Sequence, residues 1–481
     1  MINMPQGYPV TSHTDFVQEG SIFFALQGAV SHGLYYIKQA VNKGAKTIVF
    51  DQNCKVPFEL IDWLKSRSIV VQYVANPRCV LAHMAAEMAG NPAQKLKIFG
   101  ITGTKGKTTS VHLLAAIFKK VGYKTAFLSS VYNSIDSSNL PSSLTTPQAD
   151  YIHQFLKVCV ENGVTHVVIE VAAQALTLDR VEGIQFDGII MTNFSREHLE
   201  FYNSMDDYLD AKKKILKHQK SGCIVLINKD DSAFDSFADT YKTFSCLDNK
   251  AFVSGKHLND DLYCGLSGII TINEISITIS NQYFYGYYNF YNIMAVVGLA
   301  YLLNIPVEII KSAMSEFKTL LGRCERYHLS NGVTCFVDKA YNPLSFQAFL
   351  SVVRPMTSQL IVVFGAGGDR DAGRRPMMGH VASLYADYIV LTSDNPRSEN
   401  PSAIVQDILC GVDEKKRQFV TIILDRKEAI IHALLQAQSG AIVALLGKGD
   451  ERYQVFNNKK EFFSEAEILN EYEQNYIHCK Q

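Results

Sequence analysis

Residues 100–109 read Gly-Ile-Thr-Gly-Thr-Lys-Gly-Lys-Thr-Thr, and this stretch decides how the rest of the sequence is interpreted. The segment before it, residues 96–99, predicts a strand. After it, apolar residues recur at helical spacing: Val111, Leu114, Ile117, Phe118 and Val121. A strand that passes through a glycine-containing loop into a helix is an arrangement that binds phosphate groups.

The loop carries the chemistry of a nucleotide site. Its glycines let the backbone approach an anion, and successive N–H groups at the helix N-terminus face that anion. Lys107 supplies a mobile positive charge, and a threonine hydroxyl can reach Mg²⁺. Position 101 is Ile where the strict Walker spacing requires Gly, so the loop is a variant, and an ordinary turn is the alternative interpretation. The expected nucleotide-binding residues are Gly103, Thr104, Gly106, Lys107, Thr108 and Thr109.

Size and composition narrow the class of protein. The chain has 481 residues, too many for one core, and a net charge of −1. We expect three domains and no nucleic-acid partner, because no basic face is evident. With no membrane-spanning run and no signal segment, a cytoplasmic protein without membrane association is expected. The ten cysteines form no Cys-x2-Cys pair, which favours reduced, buried thiols such as Cys159, Cys223 and Cys410 over disulfides or a zinc site.

Strand-like and helical segments alternate along the chain, which predicts an α/β fold. Residues 1–92 predict a small N-terminal domain. Residues 93–324 contain unalternating apolar runs that predict a central doubly wound parallel sheet, at 164–169, 188–192 and 223–228. Residues 325–481 show the same alternation of strand-like and helical segments and predict a Rossmann-like third domain. Its apolar runs lie at 360–364, 388–392, 421–424 and 441–446.

Polar side chains follow the predicted central strands. Glu170 follows the run 164–169, and Asn193 and His198 follow the run 188–192. Ligands of such sheets bind beyond the carboxyl ends of the strands, so these groups are expected near the phosphate loop, where Mg²⁺ would suit them. Taken singly, each is more often a surface or structural residue.

Three charged turns follow strands of the last domain. They are residues 365–371 (Gly-Ala-Gly-Gly-Asp-Arg-Asp), 393–397 (Ser-Asp-Asn-Pro-Arg) and 447–451 (Gly-Lys-Gly-Asp-Glu). Each alone could be an ordinary turn. Together they predict a pocket for a small zwitterion, with Arg for a carboxylate and Asp or Glu for an ammonium.

Taken together, these motifs resemble those of the Mur ligase family, the ATP-dependent amide-forming ligases of peptidoglycan synthesis. Further motifs carry the resemblance over nearly the whole chain: residues 145–147 (Thr-Thr-Pro), 192–199 (Thr-Asn-Phe-Ser-Arg-Glu-His-Leu), 210–212 (Asp-Ala-Lys) and 286–292 (Gly-Tyr-Tyr-Asn-Phe-Tyr-Asn). The resemblance implies a monomer in which an N-terminal domain holds the UDP end of a substrate, a central domain binds ATP, and a C-terminal domain carries the incoming amino acid.

The resemblance implies catalytic roles for Lys107, Lys212, His198 and Glu170. Lys107 would contact the phosphates, Thr108 and Glu170 would hold one Mg²⁺, and His198 would face a second. Lys212 matches a lysine that these ligases carbamylate, which supplies oxygen ligands for Mg²⁺ that an ammonium lacks; a solvated lysine is the alternative. The reaction implied is attack of a D-glutamyl carboxylate on the γ-phosphate of ATP, followed by attack of an amine on the acyl phosphate.

Substrate contacts are implied in the same way. Positions matching nucleotide contacts are Asn289, Asn292 and Arg323. Positions matching contacts to the UDP-muramoyl dipeptide are Ser12, Thr145, Thr146 and Arg180. Positions matching the pocket for the added amino acid are Arg370, Asp394, Asn395, Arg397, Gly447 and Glu451. The Asp-Asn-Pro-Arg form is associated with meso-diaminopimelate, because Arg397 would bind the distal carboxylate that lysine lacks.

Several positions depart from the family pattern. Lys105 and Glu197 replace Asn and Asp, while Lys339 and Asp450 stand where Tyr and His are expected. Residues 11–13, 170–174 and 338–343 also differ from the expected motifs. Three hypotheses follow, in decreasing order of preference. They are a diaminopimelate-adding ligase of peptidoglycan synthesis, a paralogue that joins another acid and amine, and a nucleotide-binding homologue without catalysis.

Overall fold

The structure, a computed structural model, describes residues 2–28, 31–197 and 201–480. The chain divides into two compact units. The first consists of Met1–Ser254, Ile272–Glu274 and Asn292–Ala313, and the second of Gly255–Thr271, Ile275–Tyr291 and Met314–Gln481.

Strands and helices alternate along most of the chain, as the sequence predicts. The strands are β1 Tyr8–Thr11, β2 Val17–Phe24, β3 Thr47–Asp51, β4 Val70–Val74, β5 Lys97–Thr102, β6 Thr125–Leu128, β7 Tyr132–Ile135, β8 Ser138–Pro141, β9 His166–Glu170, β10 Phe186–Met191, β11 Gln219–Asn228, β12 Lys242–Ser245, β13 Val253–Asp261, β14 Gly265–Ile272, β15 Ile275–Asn281, β16 Glu325–His328, β17 Thr334–Asp338, β18 Leu360–Phe364, β19 Tyr388–Leu391, β20 Val420–Ile422, β21 Ile442–Leu446, β22 Tyr453–Phe456 and β23 Lys459–Phe462. The α-helices are α1 Ile37–Asn42, α2 Phe58–Ser66, α3 Pro77–Met88, α4 Lys107–Val121, α5 Ala149–Glu161, α6 Ala173–Thr177, α7 Met205–Lys213, α8 Tyr287–Leu302, α9 Val307–Glu316, α10 Pro343–Val353, α11 Arg374–Tyr385, α12 Pro401–Cys410, α13 Arg426–Gln436 and α14 Glu465–Lys480.

The first unit contains two groups of paired strands. Strands β1 to β4 form a small parallel sheet in chain order. The larger group has the order β12-β11-β10-β5-β9-β6-β7-β8, and it is parallel from β12 to β6. The predicted doubly wound parallel sheet is therefore confirmed at its centre but wrong at its edge, where β7 and β8 are antiparallel. Strand β8 is an edge strand that is partly exposed, so it has no apolar run to reveal it.

Strand β5 positions the phosphate loop. It lies between β9 and β10 and is buried from Ile98 to Thr102, because central parallel strands are covered on both faces. Gly100 leaves room for a neighbouring ring, since a Cβ there would lie 3.0 Å from Phe186. Strand β5 ends at Thr102 and helix α4 begins at Lys107, which confirms the predicted strand, loop and helix.

The second unit is built around a six-stranded sheet of order β16-β17-β21-β18-β19-β20, in which only β16 is antiparallel to its neighbour. Alternate residues of β18 pack into different cores: Val362 and Phe364 into one, Ile361 and Val363 into the other. The run predicted at 360–364 is confirmed by β18, and the run predicted at 421–424 corresponds to β20.

Two whole-chain expectations are tested by the described residues. The nine cysteines whose side chains are described are all free, but only Cys159 of the three singled out above is buried. Cys223 is half-buried, and Cys410 is exposed at the last residue of α12, so the expectation of burial is wrong for these two thiols. Within the described part of the chain, no helix has the length and apolar character needed to cross a bilayer.

Candidate active site

The phosphate loop of the first unit requires glycine at two positions. Gly103 has φ +149° and Gly106 has φ +84°, a region that side chains disfavour. A Cβ at Gly103 would lie 1.9 Å from Thr192 Oγ1, and a Cβ at Gly106 would lie 2.1 Å from Asn292 Oδ1. The loop therefore packs tightly against its neighbours, and predicted nucleotide residue Asn292 lies beside it.

Hydrogen bonds attach the loop to the end of β10. The Asn193 side chain accepts from the Lys105 N–H at 2.8 Å and donates to the Lys105 carbonyl at 3.1 Å. Thr192 Oγ1 donates to the same carbonyl at 2.6 Å. Asn193, expected as a metal ligand, is thus engaged in holding the loop backbone.

Lys107 folds back over the loop. Its Nζ donates to the carbonyls of Gly103 and Thr104, both at 2.9 Å. These bonds place the ammonium at the head of α4, where the helix N-terminus also favours an anion. The arrangement has the charge and the backbone donors needed for a polyphosphate.

A cluster of oxygen donors lies next to Lys107. The Glu170 carboxylate, buried at the end of β9, accepts from Thr108 Oγ1 at 3.0 and 3.1 Å and from the Ser130 N–H at 3.0 Å. Ser130 Oγ lies 2.9 Å from Thr108 Oγ1. Carboxylate and hydroxyl oxygens are the ligands that Mg²⁺ prefers, so this donor set fits the ion that the phosphate loop implies.

Lys212 is buried beside the loop, with 1% of its surface exposed. Its Nζ donates to the Gly103 carbonyl at 2.7 Å and lies 4.6 Å from the centre of the Tyr208 ring. Burial, and next the charge of Lys107, holds the pKa of Lys212 well below its ordinary value, although Glu197 acts in the opposite direction. The alternative of a solvated lysine is wrong, and a lysine of this kind is readily neutral and nucleophilic.

The residues predicted to contact the UDP-muramoyl dipeptide also belong to the first unit: Ser12, Thr145, Thr146 and Arg180. Thr146 Oγ1 donates to the Glu170 carbonyl at 2.6 Å, and Arg180 donates to the Thr146 carbonyl at 2.8 Å. Burial, and then the charge of Arg78, lowers the pKa of Arg180 to about 10. The Ser12 N–H donates to Asp150 at 2.9 Å, and Thr145 is half-buried. His198 lies outside the described residues.

The charged turns of the second unit meet at one edge of its sheet. Strands β17, β21, β18 and β19 are parallel neighbours, so their carboxyl ends lie side by side. Asn395 Nδ2 donates to Glu451 Oε2 at 2.9 Å, which joins two of the turns. A Cβ at Gly447 would lie 2.9 Å from the Asp394 carboxylate, so glycine is required there.

Lys448, which sequence reasoning missed, lies at the centre of these turns and is fully buried. Its Nζ is 3.0 Å from Asn395 Oδ1, 3.1 Å from Glu451 Oε2 and 3.7 Å from Asp394 Oδ1. Burial acts to raise the pKa of Glu451, but the charges of Lys448 and Lys339 and the bond from Asn395 together hold it below its ordinary value. Glu451 is therefore a carboxylate held by a buried cation.

Three arginines surround the glycine turn that follows β18. A Cβ at Gly367 would lie 2.9 Å from Arg397 Nη1, 3.6 Å from Arg374 Nη2 and 3.8 Å from Arg370 Cγ. Arg397 Nη1 donates to the Gly368 carbonyl at 2.6 Å, and Arg374 Nε is buried without a hydrogen-bond partner. Arg374 is a second residue that sequence reasoning missed. The guanidinium groups of Arg397 and Arg374 converge next to the acidic turn, which suits a ligand with both carboxylate and ammonium groups.

The two other predicted nucleotide residues belong to the second unit. Asn289 is buried and donates to the Tyr285 carbonyl at 2.8 Å. Arg323 Nη1 lies 3.8 Å from Asp450 Oδ1. Their predicted nucleotide contacts stay predictions.

Positions that depart from the family pattern contact each other in pairs. Lys105 Nζ donates to Glu197 Oε1 at 2.8 Å in the first unit. Lys339 Nζ donates to Asp450 Oδ1 at 3.0 Å in the second. In the second pair both charges are new, whereas in the first the new cation Lys105 contacts a carboxylate at a position where the family pattern also has one.

Removal of the Lys448 ammonium is expected to destabilise the second unit by about 3 kcal/mol, because it leaves the neighbouring carboxylates buried without their cation. In calorimetry, the second unit of Lys448→Met should unfold several degrees below the second unit of the wild type. Lys415→Met, at an exposed lysine of the same unit, is the matched control. Equal transition temperatures for wild type and both variants would contradict the assignment of Lys448 as the charge that holds this cluster.

Comparison with known proteins places the chain in a family. Residues 101–300 match the model of the Mur ligase middle domain, and residues 322–449 match that of the Mur ligase glutamate ligase domain. The UDP-N-acetylmuramoyl-L-alanyl-D-glutamate--2,6-diaminopimelate ligase of Caldanaerobacter subterraneus subsp. tengcongensis is 34% identical over 94% of this chain and 91% of its own length. The ligase of the same name from Clostridium perfringens is 35% identical over 94% of this chain and 92% of its own.

This chain belongs to the Mur ligase family. Solved structures of Mur ligases share its fold. The structure of a UDP-N-acetylmuramoyl-L-alanyl-D-glutamate--2,6-diaminopimelate ligase has a TM-score of 0.67, with 24% identity over 98% of this chain and 96% of that one. The MurF ligase from Thermotoga maritima in complex with ADP has a TM-score of 0.65, with 17% identity over 99% of each chain. The resemblance and the α/β fold expected from the sequence are confirmed for this Mur ligase.

Proposed function

We propose that this Mur ligase adds meso-diaminopimelate to UDP-N-acetylmuramoyl-L-alanyl-D-glutamate in peptidoglycan synthesis, with conversion of ATP to ADP and phosphate. The observation that carries the proposal is the presence of two intact chemical sites, a phosphate loop with an acidic oxygen cluster and a pocket of opposed charges. Relatives named for this activity match the chain almost end to end.

The first site supplies the phosphate chemistry. The loop N–H groups and the Lys107 ammonium would bind the β- and γ-phosphates, and Glu170 and Thr108 would hold Mg²⁺. When bound, Mg²⁺ offsets the negative charge of the phosphates. The acceptor carboxylate attacks the γ-phosphorus, the bond from that phosphorus to the β,γ-bridging oxygen breaks, and ADP leaves. Lys107 stabilises the charge on the phosphoryl oxygens during this transfer.

The second site selects the amine. Asp394 and Glu451 are carboxylates that suit an ammonium group, and Arg397, Arg374 and Arg370 suit carboxylates. The amine nitrogen attacks the acyl carbon, the C–O bond to phosphate breaks, and the nitrogen loses a proton to solvent as the amide forms. Diaminopimelate carries a second carboxylate, whereas lysine would leave part of this arginine cluster unpaired, so the cluster favours diaminopimelate.

Loss of the Arg397 side chain is expected to raise KM for diaminopimelate by roughly 10- to 150-fold, because a hydrogen bond to a charged group contributes about 1.5–3 kcal/mol. KM for ATP should stay near the wild-type value. Steady-state kinetics of Arg397→Ala with each substrate varied in turn check this, and Arg417→Ala is the control. Equal increases in both KM values would refute the pocket assignment.

A paralogue that joins another acid and amine is the second candidate, because residues 11–13 and 170–174 depart from the motifs expected near the UDP substrate. A homologue without catalysis is disfavoured by the Glu170 cluster and by the buried Lys212 beside the loop, since a module that only binds a nucleotide needs neither.

Omission of each substrate in turn separates these candidates. Purified protein receives ATP, Mg²⁺, bicarbonate, UDP-muramoyl dipeptide and meso-diaminopimelate, and phosphate release is followed. The proposal predicts release that requires both the dipeptide and diaminopimelate. Release that is independent of the UDP substrate would support the paralogue, and no release with any acid and amine tried would support the homologue without catalysis.

The proposal extends to the organisation of the chain. Residues 1–92 would hold the UDP substrate, residues 93–324 would bind ATP, and residues 325–481 would carry the amino acid. The enzyme would act as a cytoplasmic monomer on small-molecule substrates, without nucleic acid or membrane. His198 would face a second Mg²⁺, and carbamylated Lys212 would supply it with oxygen ligands.

A further inference from the structure

A group of metal-ligating side chains lies in the first unit, outside the residues assigned to ligation. Cys79, His83 and Glu182 each offer one ligand atom, and these atoms all lie within 4.8 Å of one another. Cys79 and His83 are one helical turn apart on α3, so they share a face of that helix. Glu182 lies far along the sequence, in the turn between α6 and β10. Folding, and not a local motif, brings the three together.

The turn that carries Glu182 is fixed in place. The Glu182 carbonyl is 2.9 Å from His153 Nε2, and Asn76 at the N-cap of α3 donates to Asp179 at 2.9 Å. A Cβ at Gly183, where φ is +79°, would lie 3.2 Å from the Ala86 Cβ. The carboxylate is therefore presented to α3 by a turn packed against that helix, which is the preorganisation a metal site needs.

A further nitrogen donor faces the same carboxylate. His83 Nε2 lies 4.0 Å from Glu182 Oε2, and His218 Nε2 lies 3.6 Å from Glu182 Oε1. His218 Nδ1 lies 3.2 Å from the Ile184 carbonyl, which can only accept, so Nδ1 carries a hydrogen. Two imidazole rings therefore lie close to the two oxygens of the Glu182 carboxylate.

We propose that Cys79, His83 and Glu182 bind one Zn²⁺ ion, which joins helix α3 to the turn after α6. Thiolate, imidazole and carboxylate are the ligands found around Zn²⁺, and two anionic ligands balance its charge. Mg²⁺ and Ca²⁺ prefer oxygen ligands alone, so this donor set discriminates against them. Water would fill the fourth position. None of these three side chains belongs to the phosphate loop or to the amino-acid pocket.

The test uses the full-length protein, freed of metal, in a buffer with Mg²⁺ and a phosphine reductant that does not compete for zinc. Titration with Zn²⁺ against a chromophoric chelator measures stoichiometry and affinity. Titration with Co²⁺ reports sulfur ligation through thiolate-to-cobalt absorption. We expect one tight site per chain, that absorption in the wild type, and a thermal transition raised by Zn²⁺.

Variants make the test specific. Cys79→Ser should abolish the thiolate-to-cobalt absorption, and His83→Gln and Glu182→Gln should weaken Zn²⁺ binding at least ~10- to 100-fold, as loss of groups at metal sites does. Cys410→Ser and His380→Gln, at an exposed thiol and an exposed imidazole, are the matched controls and should bind as the wild type does. Absence of the thiolate absorption, or equal Zn²⁺ affinity in Cys79→Ser, His83→Gln and the controls, would overturn the proposal.

Discussion

Replacement of Lys107 by alanine is expected to lower kcat/KM for the ligation reaction by at least about 1,000-fold, which corresponds to about 4 kcal/mol of transition-state stabilisation. The ammonium lies at the head of α4, held by the carbonyls of Gly103 and Thr104. Phosphoryl transfer spreads negative charge over the phosphoryl oxygens, and catalysis depends on cations placed where that charge develops. The flexible stem of a lysine lets this ammonium follow the phosphoryl group as it transfers.

The test of this prediction separates chemistry from folding. Thermal unfolding and circular dichroism of Lys107→Ala should match the wild type, while single-turnover phosphate release should fall. Lys120→Ala, at an exposed lysine near the C-terminal end of the same helix, should keep wild-type activity. Activity of Lys107→Ala within tenfold of the wild type would show that the phosphate loop does not work as proposed.

Loss of the Lys212 amine is expected to reduce kcat by at least about 100-fold, because the carbamate that would form there is lost with it. Burial and the charge of Lys107 favour the neutral amine, which is the form that attacks CO₂. A nitrogen–carbon bond would then form with release of a proton, and the carbamate would lie near the positive charges of Lys107 and Lys105. The modification would convert a buried base into a pair of oxygen ligands.

Three measurements check the role of Lys212. Lys212→Met should be nearly inactive, whereas Lys213→Met, at the adjacent lysine of α7, should be active. Wild-type activity should fall when bicarbonate is removed and recover when it is restored. Carbon-labelled bicarbonate should give a carbamate resonance in the wild type that is missing from Lys212→Met. Wild-type kcat in Lys212→Met would exclude the carbamate from the mechanism.

Local features of the sequence predicted the fold and the phosphate loop well. The loop follows from glycine positions and the change from strand to helical spacing within one short segment, so no distant contact is needed to recognise it. The pairing of Thr108 with Glu170 follows from the parallel strands β5 and β9, whose carboxyl ends lie at one edge.

Features that depend on distant contacts were harder to predict. Lys448 lies between two glycines in a turn, and its burial among acidic groups appears only once the strands are aligned. In the sequence, the only indication of this role was that Lys448 is a lysine inside a charged turn. Arg374 is the first residue of a helix, which reads as an ordinary surface position until its buried Nε is seen. The Lys105–Glu197 and Lys339–Asp450 pairs read as independent departures because their contacts span many residues.

The most direct measurement of the central claim follows the oxygen atoms of the acceptor. UDP-muramoyl dipeptide labelled with heavy oxygen in the γ-carboxylate of its D-glutamate is incubated with enzyme, ATP, Mg²⁺, bicarbonate and meso-diaminopimelate, and the phosphate and the product are analysed by mass spectrometry. Attack of the carboxylate on ATP predicts one heavy oxygen atom in each phosphate released and one retained in the new amide. Phosphate without the label would contradict activation of the acid by phosphoryl transfer, and with it the acyl-phosphate mechanism proposed for this ligase.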